Sequence, residues 1–201
     1  MKYSRSKADP CLYYAWTENG LVIWLSWVDD CLICGTYEAV QIAKKQMMDR
    51  FDCDEVGELK EYVGCKIDRN MEEGSIKLTQ PVLMQSYSDE FNLPEGAAPN
   101  TPAIPGTMMH RSETEEVLNE EEQFKYRSGP GKLLHMMKWT RPEVLNAVGE
   151  LSRFMSGATD SHMRAMYRAL KYCVRTPNRG LLLNPTMKWD GNPDFEFIVN
   201  E

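Results

Sequence analysis

Two adjacent carboxylates, Asp29 and Asp30, sit inside the stretch LVIWLSWVDDCLIC, residues 21–34, between two strongly apolar runs. Neighbouring like charges repel, which costs free energy unless a cation or a hydrogen-bond network offsets it. A divalent ion would do so. Mg²⁺ (or Mn²⁺) takes hard oxygen ligands and is usually held by one or two carboxylates together with substrate phosphates. Two such ions ~3.5–4 Å apart stabilise both the attacking and the leaving oxygen in phosphoryl transfer. The bland alternative is an Asp-Asp turn with solvated charges, since aspartate favours turns. The pair by itself leaves both readings open.

A second chemical pattern is basic. Arg164, Arg168, Lys171 and Arg175 recur every three or four residues and form one stripe along a helix. It is either a solvated face or one that tracks nucleic-acid phosphates. The formal net charge of −7 argues at first against nucleic acid. Its distribution argues the other way: residues 1–123 carry 11 Lys and Arg against 23 Asp and Glu, and residues 124–180 carry 11 against 3. So few acids around the stripe favour the phosphate-tracking face.

Other candidates are weaker. Cys31 and Cys34 form a C-x-x-C, but on a strand residues three apart point to opposite faces, so two buried reduced thiols are expected. His110, His135 and His162 lie in separate segments, where loop, core and helix-surface positions are expected of them in turn. Gly129-Pro130-Gly131 lacks the Gly-Lys-Ser/Thr ending of a phosphate-binding loop. No Ser-His-Asp or Cys-His arrangement has supporting spacing.

The elements that must position these residues can be read from patterning. Residues 10–35 predict a three-stranded meander: an aromatic strand from Cys11, a turn at Glu18-Asn19-Gly20, strands Leu21–Ser26 and Cys31–Gly35, and a hairpin tip at Trp27-Val28-Asp29-Asp30. A helix capped by Thr36 runs to about Arg50 with Val40, Ala43, Met47 and Phe51 on its apolar face. Glu61–Ile67 and Ser75–Thr79 form a hairpin around Met71–Gly74, and a helix follows from Pro81 to Phe91. The proline-rich residues 93–119 read as a linker or loop. Three helices come next: about 120–138 with a capping box at Asn119 and Glu122 and a kink at Pro130; about 141–156 capped by Thr140 and Glu143; and about 161–175. Leu181–Leu183 and Phe195–Val199 look like short strands. The fold class is α+β: antiparallel hairpins with packed helices, then a mainly helical region.

With 201 residues, 42% hydrophobic and 26% charged, the chain is globular in composition. Asp29 and Asp30 interrupt its longest apolar run, short of the ~18 residues a membrane span needs. No signal-peptide core precedes it, so an intracellular setting and no membrane partner are expected.

Taken in order, several blocks resemble the reverse transcriptases of copia-type retrotransposons. They are Asp9-Pro10-Cys11-Leu12-Tyr13, Trp27-Val28-Asp29-Asp30, Glu58 to Gly64 with Ile67, Leu78-Thr79-Gln80, Thr101-Pro102, Tyr126-Arg127-Ser128, Arg141-Pro142-Glu143, Leu151 to Phe154, and His162 to Tyr172 ending in Gly180-Leu181. The resemblance spans Ser6 to about Trp189. It implies that Asp29 and Asp30 are the catalytic carboxylates and metal ligands, with Mg²⁺ or Mn²⁺ as cofactor. Residues 1–92 would be a partial palm, in which 61–80 support the primer terminus. Residues 93–119 would be a linker, 120–180 a helical thumb and connection, and 181–201 the start of a ribonuclease H-like region. Trp27 would lie near the primer end, and Lys132, Arg164, Arg168, Lys171 and Arg175 would contact the backbones of template and primer. The implied partners are an RNA or DNA template-primer, deoxynucleotides and the rest of a retrotransposon polyprotein, in the cytoplasm (in virus-like particles) or the nucleus.

Three departures accompany the resemblance. Trp27 replaces the usual tyrosine, Pro130 sits where a helix would continue, and the fingers and an earlier palm aspartate would precede Met1. A chain lacking that aspartate is expected to be inactive alone. The alternative is a non-catalytic nucleic-acid-binding or assembly protein derived from such an element.

Overall fold

The computed structural model describes residues 2–93, 99–111 and 113–184. They fall into two compact units that divide after Gly57, a boundary inside the segment 1–92. The class is α+β as expected, with two four-stranded antiparallel sheets and five α-helices. No helix among the described residues is long and apolar enough to cross a membrane.

The first unit is the predicted meander with one short strand added. Strands β1 (Ser4–Arg5), β2 (Leu12–Thr17), β3 (Gly20–Trp27) and β4 (Asp30–Gly35) pair in sequence order, and helix α1 (Tyr37–Met48) follows. The period-2 alternation of β3 sends Val22 to one face, where it meets Ala15 of β2 and Ala39 and Ala43 of α1. Small alanines let the helix lie close to the sheet. The α1 stripe is therefore rotated from its expected position: Val40 and Met47 are half-buried and Phe51 is exposed. Thr36 precedes the helix without a side-chain cap bond, and its hydroxyl donates to the Asn19 carbonyl.

The second unit opens with β5 (Glu61–Tyr62), β6 (Cys65–Asn70) and β7 (Ser75–Thr79), joined late in the chain by β8 (Leu181–Leu183). Helices α2 (Pro81–Phe91), α3 (Glu120–Trp139), α4 (Leu145–Ser152) and α5 (Asp160–Arg175) enclose the larger core, built around Tyr87, Tyr126, Leu133, Met136, Met166 and Leu170. Segment 93–119 carries no strand or helix among its described residues, yet it is tied down. Leu118 N–H donates to the Ala158 carbonyl at 2.9 Å, and Val117 bridges to Thr159. The expected strand at Phe195–Val199 lies outside the described residues.

Three expectations change here. Helix α3 runs unbroken through Pro130, whose ring is buried, and Gly129 beside it faces Met166 so closely that a Cβ would stand 2.2 Å from its Sδ. Burial against α5 outweighs the lost helix bond. The Thr140–Glu143 capping box does not form: Thr140 Oγ1 donates instead to Gln80 Oε1, 60 residues away, at 2.8 Å. A 3₁₀ turn, Pro142–Val144, then precedes a helix α4 shorter than expected. Finally His162 is buried and His135 exposed, the reverse of the expected core and surface positions.

Candidate functional site

The carboxylate pair sits where two strands must reverse. Trp27 pairs with Asp30 across β3 and β4, so Val28 and Asp29 form a two-residue loop. Only the first of these has positive φ, 52° at Val28, which matches the II′ turn suited to strand twist. Glycine is the usual residue there, and a β-branched side chain at positive φ is strained. Val28 gains nothing by packing, since it is 86% exposed. Asp29 and Asp30 are exposed too, and Trp27 is half-exposed at 48%. Val22 and its α1 contacts occupy the opposite sheet face, so Trp27 and Asp30 share the face turned away from α1.

A third aspartate lies at the same end of the sheet but is occupied. Asp9 Oδ1 accepts the Cys11 N–H at 2.8 Å, and the Cys11 carbonyl accepts the Ser26 N–H at 2.9 Å. That turn fixes the entry to β2 beside the tip. Among the described residues no three His, Cys, Asp or Glu side chains gather as a metal cluster. The two exposed carboxylates at the tip offer hard oxygen atoms, the donor type that Mg²⁺ and Mn²⁺ take. Cys31 and Cys34 pair with Ser26 and Ile23 and so alternate between faces; one is half-buried and the other exposed, not both buried as expected.

The basic side chains are more committed than their spacing suggests. Lys132 pairs with Glu90 and lies over the rings of Tyr87 and Phe91. Arg164 stands 3.6 Å from Glu115. Arg168 Nη2 donates to Thr101 Oγ1 at 3.1 Å, and both Arg168 and Lys171 are half-buried. Arg175, at the end of α5, is exposed. Glu115 also takes hydrogen bonds from Ser161 and Thr159, which with Arg164 hold its carboxyl down at about 2.

Most of the chain has relatives among transposon proteins. It is 27% identical over 175 residues, 85% of its length, to the retrovirus-related Pol polyprotein from transposon TNT 1-94 of Nicotiana tabacum. It is 26% identical over 182 residues to that from transposon RE1 of Arabidopsis thaliana. The chain is related to retrovirus-related Pol polyproteins of transposons. It spans 13% of the tobacco Pol polyprotein and 12% of the Arabidopsis one. A stretch of 56 residues is also 39% identical to secreted RxLR effector protein 161 of Plasmopara viticola, covering 39% of that protein. No protein-family model and no solved structure matches the chain.

This kinship with Pol polyproteins runs through both units, since 85–90% of the chain aligns. Two features of the site were not foreseen. The strain at Val28 has no sequence signal, because Val-Asp is not a turn-forming dipeptide. The commitment of Lys132, Arg164 and Arg168 depends on partners 42 to 67 residues away in sequence or on a single loop glutamate, which spacing along one helix does not reveal.

Proposed function

We propose that this chain carries the metal-binding hairpin and part of the nucleic-acid-binding body of a copia-type reverse transcriptase, an RNA-directed DNA polymerase. The observation that carries the reading is the Asp29-Asp30 pair, exposed on a strained two-residue hairpin tip of a sheet backed by α1. The ordered sequence blocks and the Pol polyprotein relatives support it. Asp29 and Asp30 would hold Mg²⁺ or Mn²⁺, whose chemistry is to stabilise charge on the oxygens exchanged when a primer 3′-hydroxyl attacks a deoxynucleotide. The fold's own contribution is to place both carboxylates on one short turn, with Trp27 beside Asp30 on the same sheet face. Two carboxylates alone bind a hard ion weakly, so nucleotide phosphates should tighten it.

A Mn²⁺ titration of the full chain followed by NMR tests this. Paramagnetic broadening should centre on Val28–Asp30, sharpen in onset when a deoxynucleoside triphosphate is added, and vanish in Asp29→Asn. Broadening elsewhere, or unchanged in that variant, sinks the metal assignment. One observation favours the second reading, a non-catalytic nucleic-acid-binding or assembly protein: the described residues bring no third ligand to the pair. Duplex binding without any Mn²⁺ effect at the tip would select it.

A further inference from the structure

We propose that Thr101 is a phosphorylation site for a proline-directed Ser/Thr kinase, and that Arg168 of α5 receives the phosphate and clamps segment 99–111 to the helix. The proposal uses neither the Asp29-Asp30 tip nor any nucleic-acid contact. It begins from an arginine that the fold satisfies only in part. Arg168 is half-buried and its Nη2 donates to Thr101 Oγ1 at 3.1 Å. Its Nε is buried with no hydrogen-bond partner among the described residues. A buried donor left unsatisfied is costly and asks for a reason. One hydroxyl cannot fill a guanidinium fork. A phosphate on the same oxygen can, because its oxygens accept two parallel, charge-assisted N–H bonds.

The second observation is the charge around that hydroxyl. Arg164 and Lys171 lie one turn to either side of Arg168 on the same helix face. Residues 99–111 and 161–175 contain no Asp or Glu. Glu115 approaches the stripe at its other end, 3.6 Å from Arg164. A doubly charged group on Thr101 is therefore met by cations from α5 and by no acid from its own segment.

The third is the form of the substrate. Thr101 stands before Pro102 in a segment without strand or helix, and Asn100 and residues 103–108 are exposed. Pro102 has no N–H, so a kinase cleft that takes proline after the target hydroxyl has no donor there to satisfy. Thr101 Oγ1 attacks the γ-phosphorus of ATP. The Oγ–P bond forms, the bond to the bridging β-phosphate oxygen breaks, ADP leaves and the hydroxyl proton passes to the kinase's base. Oγ1 then stops donating to the Ala103 carbonyl, a 2.7 Å bond at exposed chain that water replaces.

The chain also holds a control. Thr176 precedes Pro177, and there is no other Thr-Pro or Ser-Pro dipeptide. Its hydroxyl accepts from fully buried Arg141 at 2.8 Å and donates to the Tyr172 carbonyl at 2.6 Å. It caps the C-terminus of α5, where added negative charge is disfavoured.

Full-length folded protein is incubated with a purified proline-directed kinase and Mg²⁺, with and without ATP, and desalted. Phosphate is then mapped by mass spectrometry and melting temperatures are compared. Wild type should carry one phosphate, on Thr101 and not on Thr176, and melt about 2–4 °C higher than its untreated form. Arg168→Gln should take up the same phosphate without the rise. Arg168→Lys keeps the charge but not the fork and should retain part of the rise. Each variant is compared with its own unphosphorylated form, so a lower starting stability does not enter. No phosphate on Thr101, as much phosphate on Thr176, or an unchanged melting temperature overturns the proposal. So does a rise that Arg168→Gln keeps in full.

Discussion

In the helical unit Arg141 is fully buried, its Nε 2.6 Å from Glu143 and its Nη atoms donating to the Thr176 hydroxyl at 2.8 Å and carbonyl at 3.2 Å. In the strand unit Asp29 and Asp30 stand exposed on a two-residue loop. Both places concentrate charge, yet the surroundings differ in kind. Arg141 satisfies the end of α5 and stacks on Tyr172, so its charge is consumed by the fold. The aspartates are attached to a small core of Ala15, Val22, Ala39 and Ala43 that asks nothing of them. Buried and fully bonded charge is structural; exposed like charge on a strained tip is available to a ligand from outside.

The largest expected effect tests the first half of that contrast. Arg141→Ala empties a fully buried site and leaves the Thr176 hydroxyl and carbonyl without their donor, and each buried polar group left unsatisfied costs roughly 1–3 kcal/mol. A chemical-denaturation curve should show the helical unit's midpoint fall accordingly. Asp29→Asn and Asp30→Asn should leave that midpoint unchanged and stabilise the strand unit slightly by removing repulsion. A small cost for Arg141→Ala, or a large one for the aspartate variants, would erase the distinction between the two regions.

The contrast also explains what was legible in the sequence. The Asp hairpin could be read because its information is local: alternating apolar residues, an Asn-Gly turn and a pair of charges out of place. The burial of Met163, Met166 and Leu170 on α5 follows the helical period, which leaves Cys173 and Val174 undecided between them. The rest depended on distant partners. Thr140 abandons a local cap for Gln80, and Pro130 stays helical because Gly129 admits Met166. Arg164 and Arg168 form a regular stripe, but Glu115 and Thr101 meet them from a loop that gave no sign of docking. Local patterning specifies elements; it does not say which side chains tertiary contacts will consume.

An intermediate effect comes from a buried histidine in the consumed class. His162 Nδ1 accepts the Thr159 N–H at 3.1 Å, which caps α5, and the ring stacks on Phe154 at 3.9 Å. A backbone N–H can only donate, so Nδ1 must be unprotonated. Burial holds the imidazole below its ordinary pKa, and the nearby Glu115 charge and the His110 backbone oppose this only in part. The unfolded chain therefore takes up a proton at pH ~6.5 while the folded chain resists until lower pH. Stability is complete above that value and declines as pH falls through it, by about 1 kcal/mol as the cap is lost. His162→Gln keeps an acceptor without titrating, so it should flatten the stability profile between pH 7 and 5 even if the absolute stability drops. A wild-type profile already flat over that range would remove His162 from the structural class.

The smallest effect probes the tip itself, and a second hairpin supplies its control. Val63 and Gly64, between Glu61–Tyr62 and Cys65, have φ of 49° and 73° and form the I′ counterpart of the Val28-Asp29 loop. Each loop forces a valine to positive φ, at a cost of roughly 1–3 kcal/mol. Replacing either by glycine relieves that strain but adds disorder to the unfolded chain worth ~0.5–1 kcal/mol, so both variants should be more stable by about 1 kcal/mol or less. Their functional consequences should part. Val28→Gly lets the tip sample other turns and spreads the two carboxylates over many arrangements, so Mn²⁺ affinity should fall while stability rises. Val63→Gly should raise stability and leave Mn²⁺ affinity alone. Equal Mn²⁺ affinity in wild type and Val28→Gly would mean that the strained valine does not organise the carboxylates, and the tip would then differ from the Val63 hairpin only in its charge.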